Sequence, residues 1–274
     1  MHEAIKKIKL LEHQYKLLVE NLENEVKPNE IDLTSFEQES TLHPKLWVDN
    51  YTLDSQVRLR LLDIADDFFD SLEIDWVEPI DIVLTGSICN YNWSKYSDID
   101  VHIILDFNNI ECDKDLLRNY FNSKKNEWSS NHDNLTIYDM DVEFYVEDVS
   151  DITVSNGIYS LEKNKWVNEP SIDNSFDLTS NEILLRNVSS EIMTCIDDLH
   201  NSYLSTSDEY ELKEISKTLS NILDLIYKIR EKGLDNKGEL DELNIIFKII
   251  RRSGYLDLIW DMIDNIYDKI NSIE

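Results

Sequence analysis

Glycine, proline and cysteine are scarce in this sequence. Five Gly and four Pro among 274 residues argue against a loop-rich all-β fold and favour helix as the dominant element. The three cysteines, Cys89, Cys112 and Cys195, lack Cys-x-x-Cys spacing and leave one over, so we expect no disulfide framework and a reducing compartment. The sequence has no run of about 18 apolar residues and no signal-peptide pattern at its N-terminus, which excludes membrane spans and predicts a cytoplasmic location.

Basic side chains are also few. Lys and Arg number 26 against 56 Asp and Glu, giving a net charge of −30. This charge repels phosphate backbones and argues against binding to long DNA or RNA. A small anionic ligand remains compatible with it, because a metal ion can screen the local field. Solubility, or adaptation to a salty or crowded cytoplasm, is the alternative explanation. A hydrophobic content of 42% excludes a disordered acidic chain.

The length predicts more than one domain. We expect an N-terminal helix and linker arm over 1–52, a core domain over 53–170, and a helical C-terminal domain over 171–274. Apolar residues at helical spacing predict an amphipathic helix over 4–25, which could serve as a dimer seam or as a strap on its own core. The polar residues 28–45 are typical of a linker or a wrapping arm.

The periodicity changes along the chain. β-branched or alternating patterns predict strands over 80–86, 98–107 and 135–148, with a hairpin edge or loop over 157–167. Helical spacing predicts helices over 53–72 and 113–128, and then over 180–204, 208–232 and 238–271, with breaks near Gly233 and Asn236 and at Ser253-Gly254. The expected fold class is therefore α/β (α+β): a small mixed sheet followed by an all-helical C-terminal domain, with N-terminal helices packed onto one or both.

The most informative stretch is LTGSICNYNWSKYSDIDVHIILD. It places Gly86-Ser87 directly after an apolar strand, where backbone N–H groups and a hydroxyl can hold phosphate oxygens. Asp98 and Asp100 follow, two apart and so on one face of a strand. Two neighbouring carboxylates repel each other unless a cation lies between them, and Mg²⁺ prefers oxygen ligands shared with substrate phosphates. The alternative is a solvated strand edge, since acidic residues are common in this chain.

Two-metal phosphoryl transfer requires a third carboxylate. The string DMDVEFYVED offers Asp141 and Glu143, again on one face of a strand with apolar neighbours between them. Either residue is a candidate for the third ligand.

The order of strand, Gly-Ser, spacer, Asp-x-Asp and later acidic residue resembles the nucleotidyltransferase superfamily typified by DNA polymerase beta, over about residues 80–148. Further segments look like uncharacterised predicted nucleotidyltransferases of large phages: LHPKLWVDN, VRLRLLDIADDFF, NYNWSKYSDIDVHI, VEFYVED and RRSGYLDLIWDM. The resemblance implies an enzyme that uses Mg²⁺ or Mn²⁺ and a nucleoside triphosphate, with ATP among the candidate donors.

The resemblance also implies roles for individual residues. Gly86 and Ser87 would bind the triphosphate, and Asp98 and Asp100 would bind both metal ions. Glu143 or Asp141 would complete the second metal site and act on the acceptor hydroxyl. We favour Glu143, because the Val-Glu-aromatic-Tyr string resembles the phage proteins.

Weaker candidates surround these residues. His102 could orient Asp100 or contact substrate, although a hydrogen-bonded core histidine is the more common situation. Aromatic and basic residues of the spacer could stack on a base or meet a phosphate, or simply pack: Tyr91, Trp93, Lys95 and Tyr96. Three cations near the C-terminus could reach the β- and γ-phosphates, or lie on a solvated face: Lys248, Arg251 and Arg252. Ser155-Asn156-Gly157, with Tyr159 close by, is either a site loop or a turn, and we favour the turn.

Two functions follow. The first is transfer of a nucleoside monophosphate to an acceptor hydroxyl with release of pyrophosphate, in a cleft between sheet and helical region. The acceptor could be a small molecule or a protein, which we favour, or a tRNA end or a second nucleotide. The second function is a non-catalytic nucleotide-binding or host-interaction module with an acidic surface. Base preference and oligomeric state stay open.

Overall fold

The computed structural model describes residues 31–49, 51–151, 155–173 and 176–272. They form two compact units, one of residues 35–173, and the other of residues 176–272 together with 31–34. The helix predicted over 4–25 lies outside the described residues. Within the described part of the chain, no helix is both long and apolar enough to span a membrane.

The first unit begins earlier than the expected core boundary at residue 53. A short antiparallel pair, β1 (Trp47–Val48) and β2 (Thr52–Leu53), follows residue 46. The indole of Trp47 is buried, donates a hydrogen bond to the Ile88 carbonyl (2.8 Å) and stacks on Trp166, with ring centroids 4.5 Å apart. Trp47, near the end of the predicted arm, therefore packs against the core, as a wrapping segment does and a free linker does not.

A six-stranded mixed sheet forms the centre of this unit. Its order is β5-β6-β4-β3-β7-β8. The strands are β3 (Asp81–Thr85), β4 (Ile99–Leu105), β5 (Thr136–Ile137), β6 (Met140–Asp148), β7 (Ile158–Ser160) and β8 (Lys165–Asn168). β4 and β6 pair in parallel, and every other neighbouring pair is antiparallel. β7 and β8 form the hairpin that the sequence left open.

Two helices cover one face of the sheet. α1 (Ser55–Asp70) begins at Asp54, whose carboxylate accepts hydrogen bonds from two backbone N–H groups. α2 (Lys114–Asn131) begins likewise at Asp113 and forms the crossover between the parallel strands β4 and β6. Their buried residues join the apolar face of the strands in one core: Val57, Leu61, Phe68, Leu117, Phe121, Ile99, Val101, Ile103, Val142 and Phe144.

Alternate side chains of β4 form a second, polar face of the sheet. Ile99, Val101 and Ile103 belong to the main core, so Asp100 and His102 point to the opposite side of the sheet. The register of the parallel pair sets Asp100 beside Glu143. The predicted acids therefore lie on the sheet face that the main core leaves uncovered.

The second unit is helical. It contains α3 (Leu178–Ser205), α4 (Glu209–Asn236), α5 (Glu242–Arg252) and α6 (Tyr255–Asn271). Gly254, with φ of +78°, separates α5 from α6, which is the break expected at Ser253-Gly254. The unit confirms the expected α+β class with a helical C-terminal region.

The break expected near Gly233 and Asn236 falls at Asn236, where α4 ends. Gly233 lies inside α4 and is buried. A Cβ built on it would lie 2.6 Å from the backbone nitrogen of Asn244, so glycine here permits close packing of α4 against α5. The predicted helical interval 238–271 contains a 3-10 turn (Gly238–Leu240), α5 and α6, with the expected break at Ser253-Gly254 between the two helices.

Candidate active site

Three carboxylates converge on the polar face of the sheet. Asp98, Asp100 and Glu143 each offer an oxygen within 4.8 Å of the others, and all three residues are half-buried. Asp100 and Glu143 are register partners on β4 and β6, and Asp98 directly precedes β4. Such an all-oxygen donor set fits a hard divalent cation such as Mg²⁺ or Mn²⁺, which would neutralise the mutual repulsion of the carboxylates.

The structure brings Glu143 rather than Asp141 to the aspartate pair. Asp141 is exposed, and its register partner is Thr136 of the edge strand β5. Among the described residues, the group of carboxylates close enough to hold a metal includes Glu143 and leaves Asp141 out. Of the two candidates that the sequence offered, Glu143 is the one that lies near the aspartate pair, and its role as the third metal ligand stays a prediction.

Gly86 abuts the acidic cluster. Its φ of +76° and ψ of −165° place it in a region that residues with a side chain rarely adopt. A Cβ built on Gly86 would lie 2.0 Å from Asp100 Oδ2. The Asn90 side-chain amide donates a 2.7 Å hydrogen bond to the Gly86 carbonyl and so fixes the turn. Backbone of the Gly-Ser turn therefore lies directly beside a triad carboxylate.

Ser87 is linked to the far end of the spacer. Its Oγ lies 2.7 Å from Ser97 Oγ, which also accepts a hydrogen bond from the Ser94 backbone N–H (2.9 Å). Ser97 is buried and directly precedes Asp98. The sequence analysis missed Ser97, although its place in Ser-Asp-Ile-Asp was a usable signal.

The segment 155–157 packs against the residues that follow Gly86-Ser87. A Cβ on Gly157 would lie 1.9 Å from the Cys89 carbonyl oxygen, and Ser155 Oγ lies 3.4 Å from the Asn90 amide. Tyr159 belongs to the core, edge-on to Trp47 at 5.2 Å. The segment therefore bends at Asn156 and packs against Cys89 and Asn90, which follow the Gly-Ser turn.

The spacer residues divide into packed and exposed ones. Trp93 donates a hydrogen bond from its indole to the Thr41 carbonyl (2.7 Å) and meets His43 edge-on at 4.7 Å. Burial, followed by the nearby Lys45 charge, lowers the pKa of His43. Lys95 is exposed, with its ammonium 4.9 Å from the ring centroid of Tyr96. Trp93 thus packs the spacer onto the arm, and nucleotide contact by Lys95 stays a prediction.

Two residues that the sequence analysis missed hold Glu143. The Lys125 ammonium lies 2.9 Å from Glu143 Oε2, and the Tyr145 hydroxyl donates a 2.6 Å hydrogen bond to the same oxygen. Burial, then the charges of Asp100 and Glu143, raise the pKa of Tyr145 and keep its phenol protonated. Tyr145 was open to prediction, because it lies two residues after Glu143 on the same strand face. Nothing in the helical pattern marked Lys125.

His102 extends this cluster. It is buried, and its ring stacks on Tyr145 with centroids 4.7 Å apart. Its Nδ1 lies 3.0 Å from Glu147 Oε1, close enough for an ion pair but not aligned for a hydrogen bond. His102 is therefore buried, as the sequence analysis favoured, but its Nδ1 lacks the hydrogen bond that was expected with burial.

The C-terminal cations belong to the helical unit. Lys248 and Arg252 lie on α5, and Lys248 forms an ion pair with Glu239. Arg251 is exposed at the end of the same helix. Contact of Lys248 and Arg252 with a triphosphate stays a prediction.

Comparison with protein-family models finds no match, and comparison with curated proteins finds none either. Among solved structures, the chain is similar to the STING-associated CdnE c-di-GMP synthase from Capnocytophaga granulosa. That match has 13% identity over 79% of this chain and 84% of the other, with a TM-score of 0.22. Because this TM-score is far below that of a shared fold, the functional assignment rests on the geometry of the site.

Proposed function

We propose that this protein is a metal-dependent nucleotidyltransferase that moves a nucleoside monophosphate from a nucleoside triphosphate to an acceptor hydroxyl. The observation that carries the proposal is the convergence of Asp98, Asp100 and Glu143 beside the Gly86-Ser87 turn. Carboxylates alone would suit many cations. Their position against a backbone turn that can hold phosphate oxygens favours a metal–triphosphate substrate.

The donor nucleotide would lie along this turn. Backbone N–H groups and the Ser87 hydroxyl would bind phosphate oxygens, and Asn90 and Ser97 would hold the turn in place. Lys95, Lys248 and Arg252 are further candidates for phosphate contact. An acidic protein needs such local donors, because its overall charge of −30 does not attract a triphosphate.

The reaction would be an in-line displacement at the α-phosphorus. The acceptor oxygen bonds to that phosphorus, the bond to the bridging oxygen of the β-phosphate breaks, and pyrophosphate leaves with the bond electrons. Divalent cations held by the triad would supply charge neutralisation of the leaving pyrophosphate and acidify the acceptor hydroxyl. Glu143 would stand closest to the acceptor and help to remove its proton, and Asp98 and Asp100 would orient the triphosphate.

For the acceptor, we propose a chemical class rather than one molecule. The acidic surface disfavours long nucleic acids, which leaves a small molecule or a protein hydroxyl as the first choice. A tRNA end and a second nucleotide are the other candidates. The labelled product of the following experiment identifies the class directly.

Each α-³²P-labelled nucleoside triphosphate is incubated with the protein and Mg²⁺ or Mn²⁺, with and without cell lysate. The Asp98→Ala/Asp100→Ala variant should abolish transfer. A matched control exists in the chain, because Asp139→Ala/Asp141→Ala removes the same motif from an exposed position outside the triad and should leave transfer intact. Equal transfer by wild type and the Asp98/Asp100 variant would refute the proposal. Absence of transfer, with partner binding that survives loss of both aspartates, would favour the interaction module instead.

A further inference from the structure

Lys125, Tyr145 and Glu143 form a closed triangle of contacts. Both Lys125 Nζ and the Tyr145 hydroxyl bind Glu143 Oε2, at 2.9 and 2.6 Å. The Lys125 ammonium also lies 3.5 Å from the centroid of the Tyr145 ring, in a cation–π contact. Each member therefore restrains the other two.

The position of Lys125 is set by α2. Phe121, one turn earlier on the same helix face, is buried in the core. Lys125 follows one turn later, and its ammonium reaches Glu143 on β6, with its side chain only 20% exposed. Its neighbour Lys124 instead pairs with Glu127, at 3.4 Å, on the same helix. The two adjacent lysines thus occupy different electrostatic surroundings.

The ammonium of Lys125 brings a positive charge to a carboxylate that a divalent cation would also use. In the absence of metal, this charge relieves repulsion among the three triad carboxylates. The same charge opposes the arrival of a cation, because like charges within a few ångströms repel, most strongly where water is partly excluded.

We propose that Lys125 is a positioning residue that lowers the intrinsic affinity of the triad for its divalent cation. The inference rests on the proposed function, because it takes the triad to be a metal site. Weak intrinsic binding has a use there: the negative charge of a triphosphate offsets the repulsion from Lys125, so the cation binds tightly together with the nucleotide and weakly without it.

A neighbouring cavity gives Lys125 room to withdraw. The cavity has a volume of about 250 Å³, and Lys125 and Tyr145 both form part of its wall. Phe107 and Phe121 line it on the core side, and Asp151 lines it as well. We infer that the ammonium moves toward this cavity when a cation binds, where Glu147, and Asp151 paired with Arg118, keep carboxylates near it.

The test measures Mn²⁺ binding to the full chain without nucleotide, by isothermal titration calorimetry and by the electron paramagnetic resonance signal of free Mn²⁺. Lys125→Met should bind Mn²⁺ about tenfold more tightly than wild type, equivalent to about 1.4 kcal/mol. Lys124→Met, the matched control, and Lys125→Arg, which keeps the charge, should stay within about twofold of wild type. Without metal, Lys125→Met should unfold at lower temperature, and saturating Mn²⁺ should restore its stability.

Unchanged or weaker Mn²⁺ binding by Lys125→Met would overturn the inference and leave Lys125 as a purely structural residue. Lys125→Gln provides a second, milder neutral variant, so poor folding of the Met variant does not block the test, and it should also bind more tightly. Failure of the inference alone would appear as Mn²⁺ binding of equal affinity in wild type and both neutral variants. If neither wild type nor any variant bound Mn²⁺, the proposed function would fail. The inference about Lys125, which depends on a metal site, would then fail with it.

Discussion

Gly86 lies so close to Asp100 that no side chain fits between them: a Cβ atom on Gly86 would be 2.0 Å from Asp100 Oδ2. The contact follows from the sheet, because Thr85, the last residue of β3, is the register partner of Asp100 on β4. The absence of a side chain at Gly86 therefore matters for two reasons. Gly86 starts the turn that would receive phosphates, and it limits where a triad carboxylate can lie.

Gly86→Ala should consequently impair both stability and metal binding. The backbone conformation alone costs about 1–3 kcal/mol for a residue with a side chain, and Asp100 must also move. We expect Mn²⁺ affinity to fall more than tenfold. Gly238→Ala is a suitable control, because Gly238 has nearly the same φ, +75°, with nothing within 4 Å of its Cβ position. Urea unfolding and Mn²⁺ titration of both variants separate the two effects, and equal Mn²⁺ affinity in both would contradict the assigned contact.

The third carboxylate gives a second prediction. Glu143→Gln keeps the size of the side chain and removes its charge, so it should lower nucleotidyl transfer by more than about 100-fold, since even outer partners of metal ligands contribute about 10–100-fold. Asp141→Asn changes an exposed carboxylate two residues away on the same strand and should stay within about twofold. Initial rates at saturating Mg²⁺ provide the comparison. A larger loss for Asp141→Asn would reverse the assignment of the two residues.

Much of the site could be predicted because its parts lie in short stretches with strong local patterns. A strand that ends at a glycine, and two aspartates at period two, give position and face without tertiary knowledge. The choice between Asp141 and Glu143 could not be made from periodicity alone, because both share a strand face. It depends on the parallel register that sets Glu143, and not Asp141, beside Asp100.

The missed residues depend on tertiary packing. Lys125 reaches Glu143 from a helix 18 positions earlier in the sequence, and no pattern distinguishes it from Lys124. The predicted break included Gly233 as well as Asn236, whereas the helix ends at Asn236 and Gly233 permits the close approach of α5. Both cases show that a local rule fails where a contact between elements determines the residue.

We expect substitutions of Ser87 and Ser97 to have coupled effects on nucleotide binding. Ser87 Oγ and Ser97 Oγ lie 2.7 Å apart, so loss of either hydroxyl should disturb the same phosphate-binding turn. Ser97→Ala should raise the KM for the nucleoside triphosphate by several-fold, consistent with a hydrogen bond of about 1 kcal/mol. The Ser87→Ala/Ser97→Ala variant should lose less than the sum of the two single losses, because both remove the Ser87–Ser97 interaction, while Ser97→Ala alone also removes the bond from the Ser94 N–H. Strictly additive losses in this double-mutant cycle would show that the two hydroxyls act independently.

We expect Asp148, at the end of β6, to make the stability of the fold depend on pH in the acidic range. Burial of this carboxyl favours its neutral form, but hydrogen bonds from Lys114 (2.5 Å) and Ser150 outweigh that effect, and its pKa lies below the usual range. A carboxyl with a lowered folded-state pKa stabilises the fold above its unfolded pKa of about 4. That contribution is lost as the pH falls through the lower folded-state pKa.

Wild type should therefore lose stability relative to Asp148→Asn as the pH is lowered from about 5 toward 3. The comparison must be made as a difference, because protonation of the other carboxyls also relieves the self-repulsion of a chain with net charge −30. That second effect favours the folded state at low pH in both proteins and cancels between them. Urea unfolding of the two proteins at several pH values measures the difference directly. Parallel curves would mean that the Lys114–Asp148 contact does not shift the titration of the carboxyl.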